Sequence, residues 1–202
     1  MRSAPVPNPL ALKNLLSEVG ACQLCAEHLP LGPRPVVRIS ATARLLIIGQ
    51  APGTRVHASG LPWDDASGNR LRQWLQLDKD TFYDTGTIAI MPMGFCYPGK
   101  GKGGDLPPRP ECAPAWHQLL LASMPAVRLT LLIGAHAQKY YLQCTDPGVT
   151  QVGIIWEAAP AGLFPLVHPS PRNQRWLSRN PWFEADVVPV LQQKVRQLLS
   201  AP

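Results

Sequence analysis

The chain has 202 residues, 46% of them apolar and 16% charged, which suits a globular domain with a substantial core. No apolar run approaches the roughly 20 residues a membrane span needs. The opening Met1–Pro9 is polar and Pro-rich, unlike a secretory signal, so a cytoplasmic, membrane-free protein is expected. The net charge of +6 favours a polyanionic partner, nucleic acid being the commonest, although many small basic proteins bind none.

Residues 8–20 carry Leu10, Leu12, Leu15, Leu16 and Val19 at helical spacing and stop at Gly20. A loop with Cys22, Cys25 and His28 follows, stiffened by Pro30, Pro33 and Pro35. Leu45–Ile48 is a continuous apolar run of the kind found in buried parallel strands. Gly49, Gln50, Ala51, Pro52 and Gly53 then form a tight turn, and the carboxylates Asp64 and Asp65 precede a helix expected at about 67–77. Those two acids also suit a helix N-cap and first turn. Further strands are expected at about 86–92, 128–134 and 163–167, with helices at about 110–124, 135–143 and 184–200. Alternating strands and helices imply a three-layer α/β/α fold around a central, mainly parallel, four-stranded sheet. With no internal repeat, one domain spanning 1–202 is the economical reading.

The 23 prolines argue for pinned loops and few long helices. Phe95–Glu111 is too rich in Gly and Pro for regular structure. Lys100 and Lys102 make its tip a mobile cationic segment, suited to phosphate or simply solvated.

Cys22 and Cys25 form a CxxC, Cys96 and Cys112 bracket the insert, and Cys144 is left over. In a cytoplasmic protein disulfides are disfavoured, and four thiolates suit either a [4Fe–4S] cluster or tetrahedral zinc. Buried or free thiols are the plainer alternative.

Val167–Asn173 (VHPSPRN) follows the last strand directly, placing His168 on the sheet edge that carries Gln50 and Asp65. Prolines on both sides of Ser170 stiffen this loop. No G-x-S-x-G elbow and no G-x-x-x-x-G-K-[ST] loop occurs, which removes the commonest serine-hydrolase and nucleotide-phosphate readings.

The pairing of GQAPG after the first strand with HPSP after the last resembles the uracil-DNA glycosylase superfamily. The CxxC and the Cys96–Cys112 spacing are similar to its iron–sulfur branches, so the resemblance runs from Cys22 to Asn173. Many relatives place Asp or Asn where this chain has Ala51; one iron–sulfur branch has alanine there and takes its catalytic Asp from a downstream P-F-x-G-D-x-S-G segment. Pro62–Gly68 (PWDDASG) resembles that segment, one residue shorter. Asp65 then matches the catalytic Asp, with Asp64 as competitor, and Trp63 matches the Phe that stacks on the flipped base. Relatives strict for uracil carry an Asn where this chain has Pro92, so a wider range of deaminated bases is implied. The Lys-Arg-Arg-Ile-His stretch of the DNA-crosslinking branch is missing from this sequence.

The resemblance implies a DNA glycosylase of base excision repair, and nothing in the sequence suggests an obligate oligomer, so a monomer is expected. Asp65 and His168 would be catalytic, with Gln50 assisting. Gly49, Ala51, Pro52, Gly53, Trp63 and Asn173 would bind the base, with His57 a lesser candidate at the pocket rim. Ser170, Arg172, Lys100 and Lys102, with Arg175 and Arg179, would meet DNA, Arg172 standing where relatives insert a side chain into the duplex. Cys22, Cys25, Cys96 and Cys112 would hold the cluster. A catalytically weak lesion-sensing DNA-binding module, or a zinc or redox protein unrelated to DNA, are the rival readings.

Overall fold

A computed structural model describes residues 9–143 and 159–200; Cys144 lies outside the described residues. Four strands form the central sheet: β1 (Leu45–Ile48), β2 (Ile88–Ile90), β5 (Leu129–Ile133) and β6 (Leu163–Leu166). They run in the order β2-β1-β5-β6, and every pairing is parallel. β1 is central, with Leu45 registered against Ile88 on one side and Leu129 on the other. Every residue of β1, β2 and β5 is buried, as expected of strands covered on both faces.

Because successive side chains in a strand point to opposite faces, these apolar runs supply two cores. Leu45, Ile47, Ile88, Ile90, Leu131 and Ile133 pack against α3 (Ala66–Leu75), α4 (Lys79–Tyr83), a π-helical turn (Phe183–Val187) and α8 (Val188–Ser200). Leu46, Ile48, Ala89, Met91 and Leu132 pack against α1 (Pro9–Gly20), α5 (Cys112–Ala122) and α6 (Ala135–Leu142). The result is three layers, α/β/α.

The helices α2 (Thr54–Ser59), α4 and α7 (Gln174–Arg179) were not foreseen from sequence, being too short to show a helical period. The expected strand at about 86–92 is only three residues long, because Gly86 and Pro92 cannot extend the ladder productively. The insert is not wholly irregular. Lys100–Gly101 (β3) and Gly104–Asp105 (β4) pair antiparallel in a small hairpin. Its tip is not a free segment, since Arg172 Nη1 donates to Gly103 O at 2.7 Å.

Parallel strands present all their carboxyl ends on one edge, and the chain reverses its direction of sheet growth beside β1. This is where open α/β sheets bind ligands. The Gly49–Gly53 turn, Pro92, Gly134 and His168 all follow strand C-termini on this edge. Among the described residues no helix is long and apolar enough to cross a membrane.

Candidate active site

A cavity of about 390 Å³ opens on this edge. Gly49, Gln50, Ala51, Pro52 and Gly53 line it from the end of β1. Trp63 and Asp65 come from the loop before α3, and His168, Ser170, Arg172 and Asn173 from the loop after β6. Two loops about a hundred residues apart in sequence therefore meet over one space.

Asp65 is the N-cap of α3. Its backbone is extended, and Oδ1 accepts the Gly68 N–H at 2.8 Å. Capping fixes one carboxylate oxygen and so orients the other. Asp64 does not line the cavity; its Oδ2 lies 3.7 Å from Nε of the exposed Arg55, a surface pair of small energetic value.

His168 is held from three directions. The Ser170 N–H donates to Nδ1 at 3.2 Å, so in the neutral ring the proton sits on Nε2. Asn173 Nδ2 donates to the His168 carbonyl at 2.8 Å, and the ring rests beside Gly134, where φ is +84°. Burial pushes the imidazole down to about 4, against the pull of the Asp65 carboxylate in the other direction. His168 is therefore a neutral Nε2–H donor near pH 7, close enough to Asp65 for the two to interact electrostatically.

Trp63 is strained into place. Its φ of +58° lies in the left-handed region, which costs a bulky residue of order 1 kcal/mol or more. Two glycines permit this conformation. A Cβ at Gly68 would stand 1.7 Å from the Trp63 carbonyl oxygen, and one at Gly49 would stand 2.7 Å from indole Cζ2. Tyr83 Oη donates to Pro62 O at 2.9 Å, bracing the same loop. The indole lies 5.5 Å from the His168 ring, centroid to centroid, tilted by 32°.

Pro92 lines the cavity and offers only its carbonyl. His117, fully buried, approaches that carbonyl with Nε2 at 3.1 Å and Tyr141 Oη with Nδ1 at 2.6 Å. A carbonyl can only accept, so Nε2 carries the proton and Nδ1 accepts from the tyrosine. Burial holds His117 at about 4.

The chain matches the family model for the uracil DNA glycosylase superfamily over residues 37–192, more than three quarters of its length. It belongs to that superfamily. Membership supports a DNA glycosylase-like function and DNA as the partner. In this superfamily member the matched span contains both loops of the cavity and all of its lining residues but Val36, and begins after Cys22 and Cys25.

Those thiols line a second cleft together with Cys96 and Cys112, beside Arg109 and Trp116. All four are free. Burial pushes Cys112 up to about 12, and the neighbouring sulfurs push it in the same direction. Cys96 and Cys25 are also raised, first by burial. The Phe95 N–H donates to Cys112 Sγ at 3.4 Å, and Cys25 Sγ lies 3.8 Å from a Glu111 carboxylate that pairs with Arg109. Among the described residues no three His, Cys, Asp or Glu side chains converge on a point that would hold a single ion.

Lys100 and Lys102 are exposed on the hairpin and do not line the cavity. Arg175 and Arg179 lie on α7, outside it. His57 is also outside, its ring 6.2 Å from that of Tyr97. Asp105 and Leu106 do line the cavity and were not singled out from sequence.

Proposed function

We propose that the protein is a DNA glycosylase that hydrolyses the N-glycosidic bond of uracil or another deaminated base. The observation that carries this is the shared cavity, in which a capped carboxylate and a neutral imidazole N–H stand close enough to interact. A base inside a duplex cannot be reached, so the nucleotide is extruded into the cavity, at a cost that is least for a mispaired base. The indole of Trp63 supplies a stacking face, worth roughly 1–3 kcal/mol for such contacts.

As the bond breaks, positive charge gathers on the sugar and negative charge on the base. Asp65 stabilises the first and orients water toward C1′ through the oxygen not used in capping. His168 donates from Nε2 to the base oxygen where charge accumulates; because burial disfavours its imidazolium, it acts near pH 7 as a neutral hydrogen-bond donor. Gln50 and the backbone N–H groups of its turn hold the base or water. Arg172, Ser170, Lys100 and Lys102 serve the phosphates. Pro92 carries no side-chain donor or acceptor, so the pocket does not read the pyrimidine edge there, and a range of deaminated bases fits.

The four cysteines would hold a [4Fe–4S] cluster. Soft thiolates suit either iron–sulfur or zinc. The four thiols line one cleft, which supports a shared centre, with zinc the alternative to the cluster. Thiols that burial keeps protonated need cationic charge nearby to ionise, which such a group supplies. The residues tie the N-terminal loop to the insert and so support the cavity wall.

Incubation with oligonucleotides bearing single uracil, hypoxanthine or xanthine bases, followed by alkaline cleavage, tests the activity. Strand breaks at one or more lesions support it. Tight DNA binding with no break at any lesion favours a lesion-sensing module instead.

A further inference from the structure

The four-cysteine cleft holds a polar atom that the thiols themselves do not engage. Trp116 follows Cys112 by one turn of α5, so the two side chains share a face of the helix, and both line the cleft. The indole N–H is buried, yet it finds no acceptor among the described residues. A buried donor left unpaired costs about 1–3 kcal/mol, and such groups are few in native structures.

The sulfurs, by contrast, are supplied with donors. The Phe95 N–H donates to Cys112 Sγ at 3.4 Å. The Arg34 backbone N–H serves Cys96, and the Arg109 side chain, anchored on Glu111 through Nε at 3.2 Å, serves Cys25. None of the four sulfurs accepts from the indole. The cleft is otherwise walled by Leu24, Leu29, Pro35 and Phe95, whose side chains offer no acceptor. A zinc ion brings positive charge and no acceptor of its own, and so leaves the N–H unpaired. An iron–sulfur cluster brings its inorganic sulfides, which accept hydrogen bonds as its thiolates do.

We infer that the Trp116 N–H donates to a sulfide of the [4Fe–4S] cluster, as a positioning contact beyond the four ligands. The inference rests on the cluster reading of the four cysteines. Residues outside the ligand set orient a centre and tune it. A hydrogen bond to sulfur strengthens as negative charge on the acceptor grows, so this one favours the reduced cluster and raises its reduction potential. Glycosidic cleavage needs no electron transfer, and the potential serves here as a reporter of the contact.

The test uses the full-length protein, purified without oxygen, beside Trp116→Phe, which keeps an aromatic ring on α5 and removes the N–H. The variant should hold iron and sulfide in the wild-type ratio. Its midpoint potential should be more negative by about 59 mV, about a tenfold change in a one-electron equilibrium. Wild-type protein carrying nitrogen-15 in its indole rings should show a nitrogen hyperfine coupling in the paramagnetic state of the cluster, and Trp116→Phe should lack it. A brown wild type without that coupling overturns the inference, whether or not the variant assembles. So does an unchanged potential, or a surviving coupling, in a fully loaded variant. Wild-type protein that is colourless, or that carries zinc alone, overturns the cluster reading and the inference with it.

Discussion

The two roles assigned to Asp65 can be separated by one pair of substitutions. As an N-cap it accepts the Gly68 N–H at 2.8 Å, and asparagine caps as well as aspartate while alanine does not. Asp65→Asn should therefore change stability by only a few tenths of a kcal/mol, and Asp65→Ala should cost about 1 kcal/mol. In a chain of 202 residues that is a fall of roughly 2–4 °C in Tm. The catalytic role depends on charge, which both substitutions remove. A carboxylate about 4 Å from a developing unit cation, at an effective dielectric of about 20, contributes about 4 kcal/mol. Charge that is only partly developed, and the residual amide dipole, bring this to the range seen for single preorganised groups, about 10²–10³ in rate. The assay is single-turnover cleavage of the preferred lesion oligonucleotide beside a calorimetric melt. Asp64→Asn is the control: it breaks only the pair with exposed Arg55, and should leave rate and Tm close to wild type. Asp65→Asn with near wild-type turnover would refute the electrostatic role, and equal melting of the two Asp65 variants above wild-type Tm minus 1 °C, a margin on the order of the cap effect, would refute the cap.

Acid should weaken the fold through His117. Its folded-state value of about 4 lies below the ordinary 6.5, so the unfolded chain takes up a proton first and stability is lost as pH falls from about 6.5 to 4. The loss is about 3 kcal/mol at pH 4; urea titrations of wild type and His117→Gln should diverge by that amount, and parallel curves would contradict it. His168, also near 4, should remain neutral by NMR at pH 6, and an imidazolium there would remove the proposed neutral donor. Gly49→Ala sets a Cβ 2.7 Å from the indole of Trp63, so it should displace the ring from His168 and cut activity, at a cost of about 1–3 kcal/mol in stability. Serine at Cys22, Cys25, Cys96 or Cys112 should lower iron content and soluble yield; a fully stable, colourless wild-type protein carrying zinc would contradict the cluster.

Much of the framework was legible because it depends on backbone period and strand ends. LLII and LTLLI read as buried parallel strands, and parallel strands deliver their following loops to one edge. That placed GQAPG, Asp65 and His168 together without coordinates. The choice between Asp64 and Asp65 was not legible, because adjacent acids look alike in sequence and only the fold sets Asp65 as the cap of α3 on the cavity and Asp64 beside Arg55. Asp105 and Leu106 were also hidden. Their position comes from an Arg172–Gly103 hydrogen bond between segments far apart in sequence, and no local pattern encodes such a contact. The short helices α2, α4 and α7 hold too few residues to show a period, and of the three only α4 has a side-chain N-cap, Asp78 accepting from the Thr81 N–H.

The central claim is that one extruded base is held between the loop ending at Gly68 and the loop beginning at His168. A crystal structure of the protein with an oligonucleotide carrying a slowly cleaved 2′-fluorinated deoxyuridine tests it most directly. The account predicts the base stacked on Trp63, a base oxygen at His168 Nε2, and C1′ facing the Asp65 carboxylate. A base that remains in the stack of the bound DNA, or that lodges away from both side chains, would contradict it.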